Sequence, residues 1–99
     1  MKPKGRPKKV RIVEGEPKIK QFSPRGRPGR PDEITLSLDQ YEALRLADYK
    51  KLKQFQAAKS MGISRATFGR IIKEARFKLI NGIIDGKIIK ISGGKVQLA

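Results

Sequence analysis

The stretch that decides the fold is Gln54–Lys73, QFQAAKSMGISRATFGRIIK. A small residue, Ala58, stands four positions before Gly62, and apolar residues occupy the positions that pack two helices together: Ala57, Met61, Ile63, Phe68 and Ile71. This spacing predicts a helix-turn-helix, whose second helix lies in the DNA major groove. A plain helical hairpin in a small bundle needs the same glycine turn and apolar positions, so other features must separate the two.

The inward positions leave a face of small and basic residues on the second helix. We predict that this face contacts DNA through seven residues: Ser64, Arg65, Ala66, Thr67, Gly69, Arg70 and Lys73. Arg65 and Arg70 are the candidates for base contacts, because a guanidinium can donate two hydrogen bonds to guanine O6 and N7. Ser64 is predicted to cap the helix, whose N-terminus favours a phosphate. Gly69 costs about 1 kcal/mol relative to alanine in a helix, which indicates close approach of either DNA or another helix.

The charge of the chain favours a polyanionic partner. Its 99 residues include 24 Lys and Arg against 9 Asp and Glu, a formal net charge of +15. Such a field attracts nucleic acid first and an anionic membrane surface second. No apolar run approaches the ~20 residues of a membrane span, and the N-terminus lacks the apolar stretch of a signal peptide. We therefore expect a cytoplasmic, nucleoid-associated protein with double-stranded DNA as its partner and no membrane contact.

Composition also argues against catalysis. Cysteine and histidine are both absent, which removes disulfides, thiolate and imidazole metal ligands, and histidine acid–base chemistry. The acidic residues are scattered, and only Asp32 and Glu33 are neighbours. We expect no enzymatic activity, no metal site and no cofactor.

The first third of the chain is basic and rich in proline and glycine. Residues 1–31 hold eleven Lys and Arg, two Glu and all six prolines. A segment of this composition cannot build a packed core, so the sequence predicts a basic, partly disordered arm over residues 1–35. Two runs within it, Lys9–Val13 and Lys18–Phe22, alternate enough to form strands if a sheet edge is offered.

The arm carries a second, weaker signal for DNA. Pro24-Arg-Gly-Arg-Pro28 resembles the core of an AT-hook, which implies that Arg25, Arg27 and Arg30 enter a narrow minor groove. The alternative is non-specific contact with phosphates. Lys51 and Lys53, just before the second helix of the motif, are further candidates for the DNA backbone.

Regular structure is predicted from Leu36 onward. Ser37 and Gln40 stand three apart, as in a capping box that opens a helix. Asn81-Gly82 is predicted to end the last helix. The helices are expected at about 38–49, 53–61 and 65–80, so that residues 36–82 form the helix-turn-helix domain.

The C-terminal residues 83–99 are predicted to form a β-hairpin, because Gly93-Gly94 separates two alternating runs. The expected fold class is therefore mainly α: a three-helix helix-turn-helix domain, a short C-terminal hairpin and a flexible basic arm. A core of three short helices lies near the lower limit of independent stability. A homodimer would relieve this and would bind paired half-sites.

Three segments of the sequence resemble a known family: Leu38-x-x-Tyr-Glu-Ala-Leu-Arg-Leu-x-Asp48, Ala57-Ala-x-x-Met-Gly-Ile-Ser-Arg-Ala-Thr-Phe-x-Arg-Ile71 and Ala75-Arg-x-Lys-Leu79. The family is uncharacterised protein family 0251, also called domain of unknown function 134. It is a bacterial and archaeal set of predicted DNA-binding proteins, whose helix-turn-helix is similar to region 4 of bacterial sigma factors. The resemblance implies a cytoplasmic DNA-binding role and suggests transcriptional control.

The function predicted from the sequence is that of a sequence-specific transcriptional regulator. One alternative is architectural, nucleoid-type binding with low sequence preference, which the overall charge favours. Another is an RNA-binding protein, although the aromatic residues that stack on single-stranded bases are few. The last is a protein–protein module, for example one that contacts RNA polymerase through the acidic residues Asp39, Glu42 and Asp48 of the first helix.

Overall fold

Short strands and helices alternate along residues 10–99, the part of the chain that the computed structural model describes. The elements are β1 (Arg11–Val13), β2 (Gln21–Phe22), β3 (Glu33–Leu36), α1 (Leu38–Leu44), α2 (Gln54–Ser60), α3 (Arg65–Ile84), β4 (Ile88–Ile91) and β5 (Val96–Leu98). The last turn of α1 continues in π-helical geometry over Arg45–Tyr49. The three predicted helices are present, but the described chain mixes helix and strand instead of being mainly α.

Local capping explains where α1 begins. The Ser37 hydroxyl accepts a hydrogen bond from the Gln40 amide at 3.4 Å, and the Ser37 amide donates to Gln40 Oε1 at 3.0 Å. This is the predicted capping box. The bounds predicted for the first two helices agree with the structure within a few residues.

The third helix is longer than predicted, because Asn81-Gly82 does not end it. Gly82 is buried, and a Cβ at this position would lie 2.8 Å from Ile89 Cγ1. Its role is therefore to let β4 approach the helix. The left-handed residue that follows α3 is Gly86, with φ of +63°.

The predicted C-terminal hairpin is wrong. β4 is the central strand of a three-stranded sheet, antiparallel to β2 and parallel to β3, with both Phe22 and Ile34 in register with Ile89. β5 instead pairs in parallel with β1, Arg11 lying opposite Val96. Gly93-Gly94 therefore connects two different sheets. The local sequence predicts a tight turn here because the strands that compete for pairing, β1, β2 and β3, lie more than fifty residues away in the sequence.

The predicted arm is part of the fold wherever the structure describes it; its first nine residues lie outside the described range. β1 and β2 form within the two alternating runs that the sequence singled out. Val13 in β1 is 1% exposed and belongs to the core. Residues 10–35 are thus held by strand pairing with the C-terminal segment, which local composition does not reveal.

The apolar core has two parts, and α3 belongs to both. The first half of α3 packs against α1 and α2 through a cluster that includes Met61 and Phe68, each fully buried. The second half packs against the three-stranded sheet through Ala75, Leu79 and the strand residues Leu36, Ile89 and Ile91. The position of α3 is consequently fixed along its whole length.

The acidic residues of α1 are bound within the protein. Glu42, 3% exposed, accepts a hydrogen bond from Arg45 Nε at 2.8 Å and one from the Glu14 amide at 3.1 Å. This carboxylate raises the pKa of Arg45. Asp39 is 9% exposed and lies beside Arg11. Two of the three acids considered for an RNA polymerase contact are therefore buried.

Candidate nucleic-acid interface

The N-terminal half of α3 presents the side chains that the sequence singled out. Ser64, Arg65, Ala66, Arg70 and Lys73 are exposed, and Thr67 and Gly69 are partly exposed. The buried residues of the same helix segment, Phe68, Ile71 and Ile72, occupy the opposite side. Core packing on one side therefore leaves a continuous outer surface, which we call the α3 face and define by Arg65, Ala66, Gly69, Arg70 and Lys73.

The start of α3 is fixed by its cap. Ser64 Oγ accepts a hydrogen bond from the Thr67 amide at 3.1 Å and lies 2.9 Å from Thr67 Oγ1. Arg70 Nη2 in turn donates to Thr67 Oγ1 at 3.3 Å. The cap thereby positions one arginine of the α3 face. The N-terminal amides of a helix attract an anion through their free N–H groups and the helix dipole.

A side chain at Gly69 would not be crowded. A Cβ at this position would meet only Gln54 Oε1, at 3.8 Å. Close helix packing, one of the two explanations considered for this glycine, is therefore not its role. The absence of a side chain lowers the surface in the middle of the α3 face.

The loop before α2 borders the same surface, since Gln54 is the first residue of α2 and the nearest neighbour of Gly69. Lys53 is exposed, and its amide donates to Gln56 Oε1 at 3.0 Å. Lys51 is also exposed and has a φ of +63°, a left-handed conformation that side chains disfavour. The structure thus places Lys53, which precedes Gln54, at one border of the α3 face, and Lys51 lies two residues earlier in the same loop.

Other basic residues of α3 serve packing. Arg76 binds Asp48 through two hydrogen bonds of 3.0 and 2.7 Å. Lys78 donates to the Thr35 carbonyl at 3.0 Å and to Gln40 Oε1 at 3.2 Å. Both connect α3 to neighbouring elements.

Arg27, in the segment that resembles an AT-hook, lies at the other end of α3. Arg27 Nη1 donates to the carbonyls of Asp85 and Gly86, directly after the helix. A helix of 20 residues is about 30 Å long at 1.5 Å per residue. The structure therefore does not bring Arg27 together with the α3 face, and Arg25 and Arg30 are exposed in the same loop.

Two basic residues that the sequence did not identify lie near the α3 face. Arg11 of β1 and Lys95, just before β5, line an open cleft of about 480 Å³ together with Thr67 and Arg70. They are brought there by the pairing of β1 with β5. Their positive charge was visible in the sequence, but only this long-range pairing places them.

Two further observations bear on other kinds of site. Among residues 10–99, no group of three or more acidic side chains is placed to hold a metal ion. In the same range no helix is both long and apolar enough to cross a membrane.

Comparison with known proteins identifies the family of this chain but gives no activity for it. The chain is 49% identical over 94 residues to a UPF0251 protein of Chloroherpeton thalassium, which covers 94% of this chain and 62% of that protein. A UPF0251 protein of Prosthecochloris aestuarii is 50% identical over 94 residues, covering 94% and 61%. One of Methanococcus vannielii is 45% identical over 96 residues, covering 96% and 74%.

This chain spans about three fifths of the length of the first two relatives. No solved structure matches it. A family model described as protein of unknown function DUF134 matches residues 1–99. The chain therefore belongs to the DUF134 family, the UPF0251 proteins.

Proposed function

We propose that this chain binds duplex DNA in a sequence-dependent manner, with α2 and α3 as its helix-turn-helix and the α3 face in the major groove. The observation that carries the proposal is the combination on that face of two exposed arginines, a lysine and two residues with little or no side chain. An α-helix fits the major groove, and arginine donors match the acceptors on guanine. Small residues at Ala66 and Gly69 permit the helix backbone to come close to the base edges.

The charges of the α3 face are free to interact with DNA. Arg65, Arg70 and Lys73 form no ion pair with any residue in the described range 10–99. By contrast, Arg45 and Arg76 each bind a carboxylate of α1 or its π-helical end. The protein thus neutralises arginines that support packing and leaves those of the α3 face unneutralised.

The border of the α3 face supplies contacts of a second kind. Lys51 and Lys53 precede α2, and their ammonium groups are suited to phosphates as point charges. Phosphate contacts fix the position of a protein on the duplex, whereas base contacts give sequence preference. In this proposal Lys51 and Lys53 position the domain, and Arg65 and Arg70 select the sequence.

Transcriptional regulation is the role we infer for such binding. The similarity of the α2–α3 sequence to region 4 of sigma factors supports it. The net charge of +15 also supports binding with little sequence preference, because charge alone binds any duplex. A sequence-selection experiment distinguishes the two.

The test is selection of bound duplexes from a randomised DNA pool at near-physiological salt. It compares the wild type with Arg65→Ala/Arg70→Ala and with a control of equal charge, Lys18→Ala/Lys20→Ala, which changes two exposed lysines just before β2. We expect a motif from the wild type and from the control. The α3 variant should lose the motif, since each bidentate arginine–guanine pair contributes about 1–3 kcal/mol of discrimination.

Other outcomes give definite alternatives. Strong binding without a motif, decreasing steeply as salt rises, indicates architectural binding and contradicts the proposal. Preferential binding of an equal amount of folded RNA over duplex indicates an RNA partner. Two copies of the motif about one helical turn, ~34 Å, apart indicate that two molecules bind together.

A further inference from the structure

The paired strands β1 and β5, which we call the ribbon, lie directly beside the start of α3. The Ile12 amide of β1 donates to the Met61 carbonyl at 3.0 Å, within the turn between α2 and α3. A Cβ on Gly62 would lie 3.2 Å from Ile12 Cδ1, so the strand is in close contact with that turn. The Arg11 amide donates to the Lys95 carbonyl at 3.1 Å, which holds the two basic residues next to each other.

The cleft between the ribbon and α3 is lined by three basic side chains. Arg11 and Lys95 come from the ribbon, and Arg70 comes from the α3 face. Two acids, Asp39 and Glu74, also line the cleft. Asp39 accepts a hydrogen bond from Ser37 Oγ, and Glu74 accepts one from Gln40 at 3.5 Å. Asp39 also forms an ion pair with Arg11 at 3.7 Å, so the three basic residues of the cleft exceed its two acids by one charge.

The guanidinium of Arg11 is incompletely satisfied. Its Nε is enclosed and, within the described residues, has no hydrogen-bond acceptor. The nearest carboxylate oxygen, Asp39 Oδ2, is 3.7 Å away, and the side chain remains 20% exposed. A guanidinium carries five N–H donors and usually meets acceptors, most strongly anionic ones. Arg11 thus forms a long ion pair with Asp39, its Nε is enclosed, and the exposed part of its guanidinium leaves Nη donors that an anion at the cleft can reach.

The α3 face is bordered on two sides. On one side is the start of α2, where Gln54 lies beside Gly69. On the other side Thr67 and Arg70 turn toward the cleft and the ribbon. A major groove is about 12 Å wide and has a phosphate backbone along each edge. A helix in the groove therefore has one backbone on each flank.

We propose that Arg11 and Lys95 of the ribbon bind a DNA backbone phosphate on the flank of α3 opposite α2. The inference rests on the proposed function and adds a second backbone-binding element to it. The ligand is the phosphodiester group of duplex DNA. Arg11 supplies donors that are fixed by packing, and Lys95, which is exposed, supplies a mobile point charge.

The test measures the salt dependence of binding to a selected duplex. Each lost phosphate contact lowers the slope of log K against log salt by about one. We expect this decrease for Lys95→Ala and for Arg11→Gln, with the selected motif unchanged. Lys95→Arg should keep the wild-type slope. The matched control is Lys18→Ala, an exposed lysine that precedes β2 in the other sheet, and it should also keep the wild-type slope.

Neutralising single phosphates of the duplex identifies the phosphate that Lys95 contacts. Replacing single phosphates by methylphosphonate along the duplex should reveal one position at which the wild type loses affinity and Lys95→Ala does not. Thermal unfolding of each variant shows whether it is folded, and Lys95→Ala keeps the test decisive if Arg11→Gln is unstable.

The two proposals fail in different ways. Wild-type slopes for Lys95→Ala and Arg11→Gln, together with motif loss in Arg65→Ala/Arg70→Ala, overturn the ribbon contact and leave the proposed function standing. If the Arg65/Arg70 variant also binds like the wild type, the proposed function itself is overturned.

Discussion

The two halves of α3 expose different chemistry on the same side of one helix. At 100° per residue, Ala66, Lys73, Phe77, Ile80 and Ile84 project in similar directions. The exposed residues of the first half are basic or small. Those of the second half are large and apolar: Phe77, Ile80 and Ile84 are 67%, 55% and 75% exposed. The side that packs on the core fixes the helix, so the exposed side can change character along its length. A single helix can therefore present a polar surface in its first half and an apolar surface in its second half.

The buried side changes as well. Around Phe68 the helix meets side chains of α1 and α2, while at Gly82 it meets the sheet through its own backbone. The first half is thus fixed by side-chain packing, and the second half by side-chain packing together with the close approach of its backbone to Ile89 at Gly82. Substitutions at paired positions in the two halves test this contrast.

The largest expected effect distinguishes two phenylalanines. Phe68 is 0% exposed and Phe77 is 67% exposed. Phe68→Ala should lower the free energy of unfolding by about 3–5 kcal/mol, because it leaves a cavity in the core. Phe77→Ala should change it by about 0.5 kcal/mol or less. Urea unfolding followed by circular dichroism measures both; similar losses for the two variants would contradict the assignment of buried and exposed sides.

Two glycines provide the next contrast. Gly82→Ala should destabilise by about 1–3 kcal/mol, since the added methyl overlaps Ile89. Gly69→Ala has free space and should stabilise by about 0.5–1 kcal/mol through helix propensity. Under the proposed function, Gly69→Ala should still weaken DNA binding. Thermal unfolding and a binding titration on the same samples check both, and a stabilised Gly82→Ala would show that β4 can move away.

These contrasts also show what the sequence could predict. The capping box at Ser37, the cap at Ser64, the glycine turn and the 3.6-residue spacing are local signals, and they predict α1, α2 and the first half of α3 correctly. Gly82 carries the same local signal as a helix end, yet its actual role depends on Ile89. Likewise Gly93-Gly94 has the local pattern of a hairpin turn, whereas the actual partner strands β1 to β3 are remote in sequence. Strand pairing over such distances is decided by the whole fold.

The candidate interface was predictable to a similar degree. Arg65 and Arg70 follow from helical spacing, which sets the side they occupy. Arg11 and Lys95 could not be found, because a basic residue in a strand has a position only once its partner strand is known. Arg27 illustrates the reverse case: its motif indicated DNA, and its described contacts are the carbonyls after α3. The number of charges can be counted in a sequence, but their positions on the protein surface depend on the fold.

A smaller effect is expected at Lys51, in the loop that precedes α2. Its φ of +63° costs a side chain about 1–2 kcal/mol, which glycine avoids. Lys51→Gly should therefore raise the free energy of unfolding by up to about 1 kcal/mol, part of the relief being lost to the greater entropy of the unfolded chain. The same variant should show a salt slope of DNA binding lower by about one. The control is Lys50→Gly. Lys50 has a right-handed backbone conformation, so this variant should not be stabilised.

The smallest effect concerns the ion pair between Asp48 and Arg76, near the boundary between the two halves. Hydrogen bonds from Arg76 lower the pKa of Asp48. A carboxyl with a lowered folded-state pKa contributes stability above its unfolded value, near 3.8, and loses it as the pH falls through the folded value. The side chains are 49% and 44% exposed, so the contribution is at most about 1 kcal/mol.

Asp48→Asn therefore should differ from the wild type at pH 7 and approach it below the unfolded pKa. Urea unfolding at several pH values measures this difference. The Arg76→Gln variant should lose the same pH-dependent part of the stability, because Arg76 is the partner that lowers the pKa of Asp48. A gap that stays constant from pH 7 down to strongly acidic pH would show that Asp48 acts by packing and not by charge. In that case the exposed ion pair would not help to hold α3 against the end of α1. The contacts of Phe68 and Gly82 would then fix both halves of the helix on their own.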